Sequence, residues 1–241
     1  LSRFTCQPKK FDTDQYLHAS ATYRLVNESE NGRPLFNNPL YNLTSGEQLL
    51  NAMQGTEIVR LFDEYGPIYV YDDGPYRYMS FGSGGEQSRI ERSRPAYPVY
   101  QYLQAMLLGL LYQPDPQRAL MLGLGGGSLV HALLSYSDDL QISVAELRAQ
   151  VLYTAREHFL LPDTPRLTIT ISDALDYLCD EATPHDLIFT DLFSDAGMQH
   201  LQLQQTYLQH CYRLLTDQGV LVLNLWDEGN GYHPEANQQL T

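Results

Sequence analysis

Residues 119–129 read ALMLGLGGGSL, an apolar run that ends in glycines and opens onto a helical pattern. The apolar start suits a strand buried on both faces. Gly123, Gly125 and Gly127 then form G-x-G-x-G, where a backbone turns sharply and lets a ligand approach closely. A helix over residues 128–134 follows, and its N-terminus offers free N–H groups and positive dipole to a nucleotide. Because many α/β turns carry glycine for steric reasons alone, a second marker is needed.

That marker is Glu146, which ends the strand-like run QISVA and lies 23 residues after Gly123. In a doubly wound fold an acidic residue about 20 positions past the first glycine accepts hydrogen bonds from ribose hydroxyls. The competing reading is a solvated charge opening a helix over residues 147–159, where a carboxylate also suits the dipole. With the glycines in register, ribose is the expectation.

The outer limits come from composition. A chain of 241 residues with 43% hydrophobic residues can bury a sizeable core. The longest apolar stretch, residues 103–112, is too short to span a bilayer and contains Gln104. No membrane partner is therefore expected, and no signal peptide is visible. The chain begins at Leu1 rather than methionine, so this says nothing about a leader. A formal charge of -14, with Lys9 and Lys10 the only lysines, argues against a nucleic-acid partner and for a small or cationic ligand. Cys6, Cys179 and Cys211 match no zinc or redox spacing, and the seven histidines lack ligand spacing. No metal and a reducing, cytoplasmic location are the expectations.

Along the chain, residues 1–55 are polar, with turn signals and one short helical reading at 47–53, and form an N-terminal extension. Residues 56–92 turn to strands, with Asp73-Gly74 as a hairpin signal, and form a small antiparallel β domain. Its tyrosines read as strand formers on half-buried faces. Residues 82–85 are a flexible connection. Residues 93–241 form the third unit: a helix over 99–111, then strands at 119–122, 141–145, 167–171, 186–190 and 219–225 alternating with helices, the last pair being a helix at 207–215 and the final strand. This order predicts a Rossmann-like, methyltransferase-type doubly wound parallel sheet with right-handed crossovers. Asp173 starts a helix at 174–179, either as its cap or as an acceptor for an adenine amine at the same sheet edge. Asp191 sits at the carboxyl end of the fourth strand, where open α/β sheets bring ligands to catalytic side chains. It is the expected catalytic residue, with helix cap or loop anchor as the alternative. His200 is expected in solvent.

The stretches PYRYMSFGSGGEQSRIERSRP, ALMLGLGGGSL, VAELRAQVLYTAREHF, ISDALDYL, HDLIFTDLFSD and YRLLTDQGVLVLNLW together resemble the spermidine synthase family, the aminopropyltransferases. The resemblance implies that Gly123, Gly125 and Gly127 line the amino-acid end of S-adenosylmethionine or its decarboxylated form. It implies that Glu146 holds ribose, Asp173 and Ala174 meet adenine, Gln87 lies near the nucleoside and Asp191 is the general base. The family's tyrosine ahead of the helix aligns with Gln101, with Tyr100 and Tyr102 adjacent; Tyr100 and Gln101 are the expected amine-site residues, together with Asp195 if its loop bulges by one residue. An amine substrate and a homodimer are also implied.

The departures are chemical. The family typically reads G-G-G-D-G-G, and this chain has Gly126 where that aspartate would hold the aminopropyl ammonium. Leu103 replaces a neighbouring glutamate. Such losses leave methyl transfer from ordinary S-adenosylmethionine, and a non-catalytic nucleoside-binding module, as the alternatives. The family's sheet also continues through two more strands, so either this sequence is a piece of a longer one or a partner covers residues 221–225; a piece is the expectation.

Overall fold

The four strands ahead of the glycine turn form one antiparallel meander. A computed structural model of the chain describes residues 55–82, 85–194 and 197–225. The helical reading at 47–53, Cys6 and Asp195 lie outside them. Strands β1 (Thr56–Asp63), β2 (Gly66–Asp73), β3 (Tyr76–Phe81) and β4 (Glu86–Glu91) pair in order. Alternation buries Ile68 and Val70 on β2, Met79 and Phe81 on β3 and Ile90 on β4. This sheet does not close its core alone. Val151, from a helix of the following unit, and Phe159, the residue that caps that helix, complete it.

The second unit is the doubly wound sheet that the sequence predicts. Two short helices, α1 (Gln101–Met106) and α2 (Gly109–Tyr112), precede β5 (Arg118–Leu122). Next come α3 (Ser128–Tyr136), β6 (Gln141–Glu146), α4 (Ala149–His158), β7 (Leu167–Ile171), α5 (Ala174–Asp180) and β8 (His185–Thr190). A two-residue ladder of β9 (Phe193–Ser194) and β10 (Gly197–Met198), a 3-10 turn at His200–Leu203, α6 (Gln205–Arg213) and β11 (Leu215–Leu223) end the described chain. The strand order is β11-β8-β5-β6-β7. Every neighbouring pair is parallel. Alternation along β5 feeds two cores: Ala119 and Met121 pack under α1 to α4. Leu120 and Leu122 pack under α5 and α6. Among the described residues no helix is long and apolar enough to cross a membrane.

Three elements differ from the sequence expectation. The helix at 99–111 is broken in two, because after Met106 the chain tightens into three-residue bonds, Leu108 N–H to the Ala105 carbonyl and Leu110 N–H to that of Leu107. The break seats Gly109 against the last strand, where a Cβ would lie 2.8 Å from Val222 Cγ2. The final strand starts at Leu215 rather than 219, with an irregularity before Val220, and α6 stops at Arg213.

The β unit is fastened to the sheet by Arg148, which follows β6. Its guanidinium donates to both Asp63 carboxylate oxygens, at 3.0 and 2.8 Å, and to the Gly66 carbonyl at 2.8 Å. It also lies 4.5 Å from the centre of the Phe81 ring. The two side chains are only 8% and 10% exposed, so either one left alone is an uncompensated charge. Arg148→Ala is expected to lower unfolding stability by about 3 to 5 kcal/mol, measured by urea denaturation.

Candidate functional site

Strand order reverses beside β5, since β6 and β7 step off one side and β8 and β11 the other. Ligands of open α/β sheets bind outside the carboxyl ends of the strands at such a point. Here those ends touch. Asp191 N–H donates to the Leu122 carbonyl at 3.0 Å, and Gly123 N–H to that of Ala145 at 2.9 Å. Gly123 has φ of +96°, and a Cβ on it would stand 2.5 Å from the Asp191 carbonyl oxygen. Only glycine fits there.

Beyond that contact the loop is held by side chains. Leu124 N–H donates to Glu146 Oε2 at 2.9 Å, while Oε1 takes the Arg148 N–H at 2.8 Å. Burial pushes the Glu146 carboxyl above its ordinary range, and these backbone donors pull it back. Glu146 is thus a buried loop support and not a solvated charge. Gly126 N–H donates to Ser88 Oγ at 2.8 Å. A Cβ at Gly126 would lie 2.6 Å from Phe159 Cδ1 and 2.7 Å from Ser88 Oγ. Helix α3 then starts with Ser128 donating to the Arg89 carbonyl at 3.2 Å. Strand β4 therefore crosses the mouth of the glycine loop.

A cleft opens between these parts, lined by Gln87, Ser88, Tyr102, Leu103, Met121, Leu124, Gly125, Ser128, Leu129 and Asp191. Consecutive residues Gln87 and Ser88 both reach it from β4. The register explains this, because Met79 pairs with Ser88 and Ser80 with Glu86, leaving Gln87 as the extra residue of a bulge. Asp191 Oδ1 accepts from Asn224 Nδ2 at 2.7 Å. Burial pushes the Asp191 carboxyl upward, opposed by hydrogen bonds from Asn224 and Tyr102.

Gln87, Gly125 and Asp191 are thus gathered in one cleft, with Gly123 and Gly127 in the adjoining turn. Glu146, Asp173 and Ala174 lie further along the same sheet edge, and Ser172 N–H donates to the Glu146 carbonyl at 2.9 Å. Asp173 caps α5, its Oδ1 accepting from Leu175 N–H at 2.8 Å. Tyr100 and Gln101 stand outside the cleft lining. The Tyr100 hydroxyl donates to Glu86 Oε2 at 2.5 Å, and Gln101 is exposed. Tyr102 of α1, next to buried Leu103, is the tyrosine that faces Asp191. His200 is exposed. Reasoning from sequence noted Tyr102 only as a neighbour of Gln101 and missed Ser88 and Asn224. An aromatic beside the apolar position of α1 was the one available signal for Tyr102, whereas Ser88 and Asn224 carry none. Among the described residues no three His, Cys, Asp or Glu side chains gather as metal ligands.

A family profile described as Spermine/spermidine synthase domain matches residues 101–235, more than half of the chain. The chain belongs to the spermine/spermidine synthase family. A polyamine aminopropyltransferase of Chromobacterium violaceum is 29% identical over 166 residues, 68% of this chain and 64% of that protein. One from Neisseria meningitidis is 27% identical over 173 residues, 71% and 65% of the two chains. The chain spans just under two thirds of the length of these relatives. An eEF1A lysine and N-terminal methyltransferase of Mus musculus is 31% identical, over 54% of this chain but 21% of that one. A probable spermidine synthase from Corynebacterium glutamicum shares the fold, with a TM-score of 0.61 at 23% identity over 70% of this chain and 63% of that one. Human methyltransferase-like protein 13, solved with SAH, has a TM-score of 0.52 at 28% identity over 58% and 71%.

Two outcomes test the geometry. Phe159 is fully buried and cannot swing away, so Gly126→Ala should cost about 1 to 3 kcal/mol through overpacking, read by thermal and urea unfolding. A carboxyl whose native pKa lies above its unfolded value holds more protons folded than unfolded, so stability falls as pH climbs through that window. Charge on Asp191 then costs stability at neutral pH and none below the ordinary carboxylate range. Asp191→Asn should raise the urea midpoint at neutral pH, and the gain should vanish on acidification.

Proposed function

We propose that this chain transfers an aminopropyl group from decarboxylated S-adenosylmethionine to an amine, with Asp191 as general base. The observation that carries the reading is the Asp191 carboxylate in the cleft beside the glycine turn and Gln87. Family membership and the names of the aminopropyltransferase relatives support the same reaction. The amine nitrogen attacks the carbon next to the sulfonium. A C–N bond forms as the C–S bond breaks, the electron pair stays on sulfur as the neutral thioether leaves, and Asp191 takes the amine proton. Alignment and general-base help supply the acceleration. A carboxyl raised by burial is better matched to that proton than an ordinary aspartate.

In this reading Gly123, Gly125 and Gly127 let the cosubstrate's tail approach the loop. Glu146 takes the ribose hydroxyls, since a carboxylate has about four acceptor sites and the backbone donors of Leu124, Leu147 and Arg148 do not fill them all. Asp173 and Ala174 border the adenine, Gln87 meets the nucleoside, and Tyr102 takes the amine-side place expected of Tyr100 and Gln101.

Methyl transfer from ordinary S-adenosylmethionine is the second reading, and Gly126 favours it. Phe159 and Ser88 occupy the volume where a side chain at 126 would project, so the loop offers an ammonium no carboxylate at that position. Repulsion against the carboxylate of the ordinary cosubstrate is absent for the same reason. The methyltransferase relatives support it over a smaller share of their length.

The protein is to be incubated with each cosubstrate and a panel of diamines, and the nucleoside product identified by mass. The aminopropyl reading expects methylthioadenosine only with the decarboxylated cosubstrate plus an amine, falling at least 100-fold in Asp191→Asn, on the order of a general base's contribution. S-adenosylhomocysteine as the enzymatic product would establish the methyl reading instead.

A further inference from the structure

Asp191 is held from behind by a buried amide that the reaction itself does not need. Gln202 is fully buried, far from the glycine loop in sequence, on the short turn after β10. Its Oε1 accepts the hydroxyl of Thr190, the residue before Asp191. Its Nε2 donates to the carbonyl of Leu192, the residue after Asp191, at 3.2 Å, and to the Asn224 carbonyl at 3.4 Å. Asn224 in turn extends the β8–β11 ladder, its N–H donating to the Thr190 carbonyl at 2.9 Å, and aims its side-chain amide at Asp191 Oδ1. One side chain thus fixes both chain neighbours of the carboxylate and the backbone of the group that donates to it.

We propose that Gln202 and Asn224 form a clamp that positions Asp191, with Asn224 holding Oδ1. The proposal rests on the reading of Asp191 as the base. Both N–H groups of the buried Gln202 amide are used, one on Leu192 and one on Asn224, and its oxygen takes the Thr190 hydroxyl, so each of these bonds falls on a chain neighbour of Asp191 or on Asn224. Asn224 bonds to a carboxylate at 2.7 Å, within the range of charge-assisted hydrogen bonds. Among the described residues lining the cleft with Asp191, Tyr102 is the other titratable side chain, from α1. Gln87 and Ser88 from β4 and Asn224 from the end of β11 are neutral, so no second charge competes for control of the carboxylate.

Carbonyl 13C NMR of the full chain with labelled aspartate reads the clamp directly, Asp191 being assigned by the signal lost in Asp191→Asn. In Asn224→Leu the Asp191 midpoint should move up by about one pH unit, the loss of one hydrogen bond to the charged form. The acid limb of kcat should move with it while KM for the nucleoside cosubstrate holds. Gln202→Met should move the midpoint the same way by a smaller amount. If that variant does not fold, Thr190→Val removes only the hydroxyl and reads the same effect. Asn224→Asp should raise the midpoint further, because two carboxylates then face each other. An unchanged midpoint in Asn224→Leu, or in both Gln202→Met and Thr190→Val, overturns the clamp. Absence of transferase activity in the unaltered chain strikes the base assignment alone, because the titration is read on Asp191 itself.

Discussion

Everything at this site depends on how closely two strand ends approach each other. Leu122 and Asp191 share a backbone hydrogen bond, and the next residue, Gly123, stands where any side chain would strike the Asp191 carbonyl. That contact does two things at once. It turns the glycine loop outward over the sheet edge, and it fixes the height at which the Asp191 side chain leaves the neighbouring strand. Loop and carboxylate are therefore placed by one constraint rather than by two independent ones, which is how a parallel sheet delivers residues nearly 70 positions apart to within reach of one small molecule.

The antiparallel β unit then behaves less as a separate body than as the fourth wall of that site. Its inner face is finished by Val151 and Phe159 of the sheet unit, and its β1–β2 turn is tied down by Arg148. Arg148 stands two residues after Glu146, which supports the loop through Leu124. Packing and polar fastening thus converge on the segment that ends β6. A disturbance there would be felt in the loop, in the β unit and in the cleft between them.

Much of this was legible in the sequence. Hydrophobic alternation and the glycine spacing are local signals, and they led to the sheet, to Glu146 and to Asp191, because a strand end announces itself by the change from an apolar run to a turn. What escaped was the set of contacts made between segments. Ser88 is an ordinary serine until β4 is laid across the loop, and Asn224 an ordinary strand residue until its ladder partner is known. Gln87 and Ser88 share a cleft only because a bulge interrupts alternation, and a register shift leaves no composition of its own. Tyr102 could not be told from Tyr100 and Gln101 for a related reason: which of three consecutive residues faces the cleft depends on where the helix begins, and it begins at Gln101 and breaks before Gly109.

The crowding around Gly126 makes the loop's composition a matter of packing as well as of chemistry. Position 126 belongs to the loop, Phe159 to the end of α4 and Ser88 to the bulged strand of the other sheet. An acidic side chain could enter at 126 only if both neighbours shrank first, and shrinking Phe159 alone would open a void in the core shared by the two sheets. Residues in such direct contact are coupled, so the effect of a change at 126 depends on what stands at 88 and 159 and does not simply add to theirs. A side chain at 126 is thus a question put to two sheets at once, and the closed shape of the loop belongs to the packing between them as much as to its own glycines.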